Sequence, residues 1–264
     1  YMSKYFPVKY GRKSVRPFKK QDVINMMIML KKKRDNEENI EQKRIYDRDW
    51  LMIKLGLNTA FRISDLLQLK VDENLKKGIM YIREAKTNKE QYWELNSKLL
   101  KDINDFIERN NLYDDEYLFQ SRQGTNHPIT STNAWFRIKK YSDEIGIDYL
   151  VGCHSLRKCF ARTFYEETKD LGIDYLLVYA FSTDNWSRPT DEVKFLMNAL
   201  IENLVKYKKR IIKRQTKVVI LGERNNLSED VLNAINEIER DTAMFDSFTL
   251  GICFNYGGHQ EIIN

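Results

Sequence analysis

The feature that most restricts what this chain can fold into is a change of hydrophobic rhythm near Leu171. Upstream, apolar residues recur at helical spacing. Leu99, Leu100, Ile103, Phe106 and Ile107 form one stripe, and "KKQDVINMMIMLKKK" forms another that ends in lysines. Downstream, "IDYLLVYAFS" is a near-continuous apolar run, the pattern of a parallel strand covered on both faces. A helix with Met197, Leu200, Ile201 and Leu204 in register follows. Then come "KVVILG", the capped helix "SEDVLNAINEIERD" and "FTLGICFNYGG". That alternation predicts a βαβαβ order around a parallel sheet. The expected architecture is therefore α+β over residues 1–170, mainly helical with a small β-sheet, followed by a partial α/β parallel-sheet segment over residues 171–264.

Within the first part, "RDNEENIEQKR" reads as a charged linker or loop. "DRDWLMIKLGLNTAFRISDLLQLKV" reads as two helices broken near Asn58 and Thr59, the second opening close to Arg62. "GIMYIREAK", "TNKE" and "QYWEL" form a strand, turn, strand pattern. "TSTNAWFRIKKYSDEIG" and "SLRKCFARTFYEETKD" read as helices, the former with Ser/Thr caps. Tyr175 and Tyr179 fall in the downstream strand and are expected in its core.

Charge follows the same division. Residues 1–170 hold 33 Lys and Arg against 25 Asp and Glu, and residues 171–264 hold 11 against 13. The first twenty residues carry seven basic groups and no acid. A basic arm leading into a basic domain suits a polyanion, because phosphate-bound Lys and Arg release counterions, although a solvated tail has the same composition. Three cysteines without metal-ligand spacing, at 153, 159 and 253, read as reduced buried thiols. With no apolar run of membrane-spanning length and no signal-peptide core, the expected compartment is the cytoplasm.

In-line attack on a phosphodiester builds charge on its nonbridging oxygens, which fixed guanidinium groups can offset. Arg62 in "AFRISDLL" opens a helix, and Asp65 one turn later could hold it. Arg157 in "HSLRK" could be the second clamp, with His154 on the same helical face. Lys86 on the hairpin turn could protonate a leaving oxygen, with Lys89 as the alternative. "NTAFRISDLLQL", "AKTNKE" and "HSLRKCFA", in this order over roughly residues 15–170, resemble the tyrosine recombinase (phage integrase) catalytic domain. The resemblance implies a duplex DNA partner and phosphate binding by Arg62, His154 and Arg157. It also implies Lys86 as general acid, Asp65 as support, and no cofactor. It further calls for a tyrosine nucleophile roughly thirty residues after the second arginine, near Pro189. No tyrosine lies between Tyr179 and Tyr207, so the expected protein binds phosphate without covalent transesterification.

"YAFSTDNWSRPTDEVKFLM" and "FNYGGHQEI" resemble the undecaprenyl diphosphate synthase (cis-prenyltransferase) family. That resemblance places Ser182, Asn185, Trp186 and Arg188 near a prenyl diphosphate, with Glu192 behind them. His259 stands where the family usually has arginine. It implies Mg²⁺ for a complete enzyme, but the family's early Asp-bearing loop would fall upstream of Leu171, where the sequence is recombinase-like. Its later arginine-rich segment would fall beyond Asn264. Residues 1–170 and 171–264 thus read as fused parts of two families, joined near residues 169–171. Three function classes follow: a DNA-binding integrase-like protein, a prenyltransferase-like fragment, and a fusion without activity. Oligomeric state is open at this level.

Overall fold

Phe18, almost fully buried, leads into α1 (Lys20–Asn36), whose Met26 and Leu30 point into the first core. The computed structural model describes residues 15–257, apart from residues 73, 74, 76, 86, 87 and 123 and the side chain at 169. It divides into two units, residues 1–163 and 164–264.

In the first unit, α2 (Ile40–Asn58) is the central element and packs against α1 and against three later helices: α3 (Ile63–Leu66), α4 (Ser97–Asn110) and α5 (Ser131–Glu144). The charged linker expected before it is only residues 37–39. Asn39 caps α2 by accepting the Gln42 N–H at 3.0 Å, so "IEQKR" joins the helix as its exposed first turns. Local charge had masked a helix start.

Two buried carboxylates tie α2 to its neighbours. Asp47 accepts from Arg34 of α1 and from Arg109 and Asn110 of α4. Asp49, with no exposed surface, accepts from Arg48 and from Arg137 and Tyr141 of α5. Burial and the Asp49 charge raise the Tyr141 hydroxyl pKa well above its ordinary value, so it stays a donor.

β1 (Ile79–Arg83) and β2 (Glu90–Glu94) pair antiparallel from Ile79↔Glu94 to Arg83↔Glu90, as the strand-turn-strand pattern requires. The last helix, α6 (Cys153–Asp170), contains the unit boundary after Thr163. Its Leu156 lies against Gly56 of α2; a Cβ there would fall 2.7 Å from Leu156 Cδ1, so glycine permits this close helix approach.

The second unit runs β3 (Tyr175–Ser182), a 3-10 turn (Thr183–Ser187), α7 (Thr190–Lys213), β4 (Lys217–Leu221), α8 (Glu229–Thr242) and β5 (Thr249–Tyr256). All three strands are parallel, in the order β3–β5–β4. Phe181, Val193, Leu204, Val218, Ile220, Val231, Ile235, Ile238 and Phe254 form the second core.

One expectation is corrected here. β3 is an edge strand rather than one covered on both faces, and Tyr175 and Tyr179 are 71% and 61% exposed rather than in the core. The reason is topological: α8 packs along β4, whereas β3 has β5 and the 3-10 turn as its main neighbours. Its apolar composition matches a covered strand, but three strands leave two edges. Cys159 and Cys253 are buried, Cys153 is partly buried, and all three are free thiols. Among the described residues no helix is long and apolar enough to cross a membrane.

Candidate functional site

Between α2 and α3 the chain turns through extended backbone at Arg62, which directly precedes α3 and whose carbonyl accepts the Leu66 N–H. The turn exists because Thr59 bonds back to the Leu55 carbonyl and Phe61 anchors in the core. Arg62 thus stands where the β1–β2 hairpin begins to turn. Its Nη1 donates to Glu84 Oε2 at 2.8 Å and lies 3.7 Å from Asp65 Oδ2.

Asp65, 2% exposed, accepts the Ala85 N–H at 3.2 Å through Oδ1. Its Oδ2 makes no hydrogen bond. Asp65 therefore joins α3 to the hairpin as well as facing Arg62, a larger role than the supporting one expected for it. The hairpin turn closes through two bonds at Glu84, from its N–H to Lys89 O and from Asn88 N–H to its carbonyl. Asn88 adopts the left-handed backbone that such a turn needs. Lys86 lies outside the described residues, and Lys89 is exposed.

His154 and Arg157 sit three residues apart in the first turns of α6, hence on one face. Ser155 and Leu156 between them are buried and hold that turn against the first core. His154 is exposed, yet desolvation by the packed chain around it, then the charges of Arg157, Lys158 and Arg62, hold its imidazole below its ordinary pKa, so it is neutral near pH 7. Arg157 is likewise lowered, first by burial and next by Arg62, with Glu84 and Asp65 acting the other way. It remains a cation. Arg62 and the His154–Arg157 pair, more than ninety residues apart in sequence, therefore act on one another's charge. Among the described residues Arg157 makes no hydrogen bond or ion pair. A half-buried guanidinium with no hydrogen bond or ion pair among the described residues, in the field of a second one, is a ready place for an anion.

In the second unit, Ser182 and Asn185 form a reciprocal capping box around the 3-10 turn, with the Ser182 N–H donating to Asn185 Oδ1 at 3.2 Å. Trp186 packs edge-on against Phe181, 5.4 Å between centroids, and its Nε1 donates to Asn255 Oδ1 at 2.8 Å. Arg188 pairs with Glu192 at 2.7 Å on the first turn of α7. The two synthase-like motifs thus meet through Trp186 and Asn255.

Asn255 was not singled out in the sequence. It is 2% exposed with positive φ, and its Nδ2 donates to the carbonyls of Glu223 and Asn225. The signal available was only an asparagine ending an apolar strand. Glu84 was missed too, because an acid at a strand end reads as a surface ion pair. His259 lies outside the described residues. Among the described residues no group of three His, Cys, Asp or Glu side chains could hold a metal ion.

Residues 19–173 match the family model described as the phage integrase family. This is more than half of the chain, and the chain belongs to that family. Residues 140–264 match a second model, putative undecaprenyl diphosphate synthase, so the protein joins parts of two families.

Among curated relatives, the isoprenyl transferase of Fusobacterium nucleatum is 36% identical over 116 residues, 44% of this chain and 48% of the relative. The chain spans less than half the length of that relative. Among solved structures, XerA recombinase is 16% identical with a TM-score of 0.46, over 58% of this chain and 52% of that one. A probable undecaprenyl diphosphate synthase from Campylobacter jejuni is 28% identical with a TM-score of 0.38, over 39% and 50%.

Proposed function

We propose that the integrase-family unit binds the sugar-phosphate backbone of duplex DNA, with Arg62 and Arg157 clamping one phosphate and neutral His154 beside it. Membership of the family supplies the ligand class. The observation that carries the reading is Arg157, half-buried, in the field of Arg62 and with no hydrogen bond or ion pair among the described residues. Guanidinium groups supply the compensating charge themselves, so binding requires no cofactor. Covalent strand cleavage is not part of this function: no tyrosine occurs between Tyr179 and Tyr207, and Tyr179 is committed to the β3 edge, its hydroxyl donating to the Tyr256 carbonyl.

Equilibrium binding of a labelled duplex across a salt series tests this. Arg62→Ala and Arg157→Ala should each weaken binding about tenfold or more, as loss of a charge-assisted hydrogen bond of about 1.5–3 kcal/mol predicts. The slope against log salt should fall by about one per arginine removed. Affinity indifferent to salt, or to both substitutions, would sink the reading.

A second reading follows from the synthase-like stretch, whose curated relative is an isoprenyl transferase. Here Arg188 would meet a prenyl diphosphate with Asn185 and Trp186 beside it. In the structure Asn185 is used in the capping box and Arg188 is held by Glu192, so this segment is expected to form no product from labelled isopentenyl diphosphate and Mg²⁺. Accumulation of a longer prenyl diphosphate in that assay would reverse the order of the two readings.

A further inference from the structure

Glu84 has no part in the clamp as drawn above, yet it makes the shortest contact to it. Its Oε2 lies 2.8 Å from Arg62 Nη1, closer than Asp65 at 3.7 Å, and its charge also acts on Arg157. The two acids differ in what fixes them. The Asp65 carboxylate is buried and bonded to the Ala85 backbone, so it belongs to the frame. In Glu84 it is the backbone that is pinned, by the bonds with Lys89 and Asn88, while the side chain, 20% exposed, reaches out to Arg62. The hairpin therefore delivers a carboxylate into the field of both guanidinium groups, where an incoming phosphate would place its own charge.

We propose that Glu84 is the resident counter-anion of the Arg62–Arg157 clamp and sets its affinity, because a phosphodiester must displace this carboxylate to enter. The inference rests on the phosphate-clamp reading. Two guanidinium groups in each other's field repel, and a carboxylate bonded to one and acting on the other relieves that repulsion. Entry of a phosphodiester is then an exchange of one monoanion for another, so the clamp contributes little net Coulombic energy. What favours the phosphodiester is geometry. Glu84 hydrogen-bonds Arg62 and leaves Arg157 without a partner among the described residues, whereas a tetrahedral phosphate can offer an oxygen to each. Glu84 thus selects against anions that satisfy only one arginine.

The test is a double-mutant cycle on the full chain, read by fluorescence anisotropy of a labelled duplex at fixed salt, with folding confirmed by circular dichroism. Glu84→Gln keeps the side-chain shape and removes the charge. It should tighten binding about tenfold, the size of one charge-assisted contact, and steepen the salt slope by about one. In an Arg62→Ala background the same change should have less than about a third of that effect, as expected for two groups in direct contact. Glu84→Asp, which shortens the reach, should tighten binding by a smaller factor.

Weaker binding by a folded Glu84→Gln protein would show that Glu84 positions Arg62, and would overturn the proposal. An equal gain with and without Arg62 would reduce the effect to net charge, and would overturn it as well. Failure of the clamp reading itself has a separate signature, namely wild-type affinity in both Arg62→Ala and Arg157→Ala, and it would remove this inference with it.

Discussion

His154 is the residue on which the clamp's electrostatics can be read directly. Desolvation and three neighbouring cations lower its pKa, so as pH falls an unfolded chain takes up this proton before the folded one does. Stability from His154 is therefore present above the ordinary imidazole pKa of about 6.5 and is lost as pH falls from there toward the lowered folded value. A phosphodiester held by Arg62 and Arg157 would bring one negative charge toward His154, on which the acting charges are all cationic, and so offset part of the field that depresses it. Binding of duplex should then raise the His154 pKa, and linkage makes affinity increase as pH falls through the same window. With only three histidines in the chain, an NMR titration with and without DNA can follow this one. A His154 pKa that is unmoved or lowered by saturating duplex would show that no phosphate sits beside it.

Among elements, α2 and α6 matter most, because α2 leads into Arg62 at the head of α3 and α6 carries His154 and Arg157, the residues of the proposed clamp. Their approach depends on Gly56, since a methyl group there would meet both Cδ1 and Cβ of the buried Leu156, at 2.7 and 3.2 Å. Leu156 lies between His154 and Arg157, so pushing it away moves both. Gly56→Ala is expected to cost about 1–3 kcal/mol, the usual range for overpacking a core, and to weaken DNA binding without touching a phosphate ligand. Urea unfolding measures the first effect and the duplex titration the second. An alanine variant with unchanged midpoint and affinity would show that the helices can part without consequence. Much of this level was legible beforehand: the break at Asn58 and Thr59, the helix opening at Arg62, and the hairpin all lie where turn and cap residues put them. The extension of α2 back to Ile40 was not, because a charged first turn looks like a solvated linker until its cap is seen.

For the whole molecule, two separate cores imply two separate stabilities. One is built on α2 and the other on the β3–β5–β4 sheet, and neither cluster includes a residue of the other. Thermal or urea unfolding followed by several probes should therefore resolve two transitions, and Asp49→Ala should displace only one of them. The variant strands the buried Arg48 without its carboxylate, a loss of about 3–5 kcal/mol for a broken buried pair. A single coincident transition that moves as a whole with Asp49→Ala would show that the units unfold as one.

The order of elements and the change from helical to βαβ patterning were written in the sequence, because periodicity, caps and short motifs are local properties. Which apolar surfaces are covered was not. The "IDYLLVYAFS" run reads as a strand in any context, but only the sheet order makes it an edge with Tyr175 and Tyr179 exposed. The contact between Arg62 and Glu84, and the company of Arg157, likewise depend on segments that meet only after α2, the hairpin and α6 have packed. Spacing along a chain sets local conformation. The charge that faces a given arginine is decided by which distant backbone folding brings beside it.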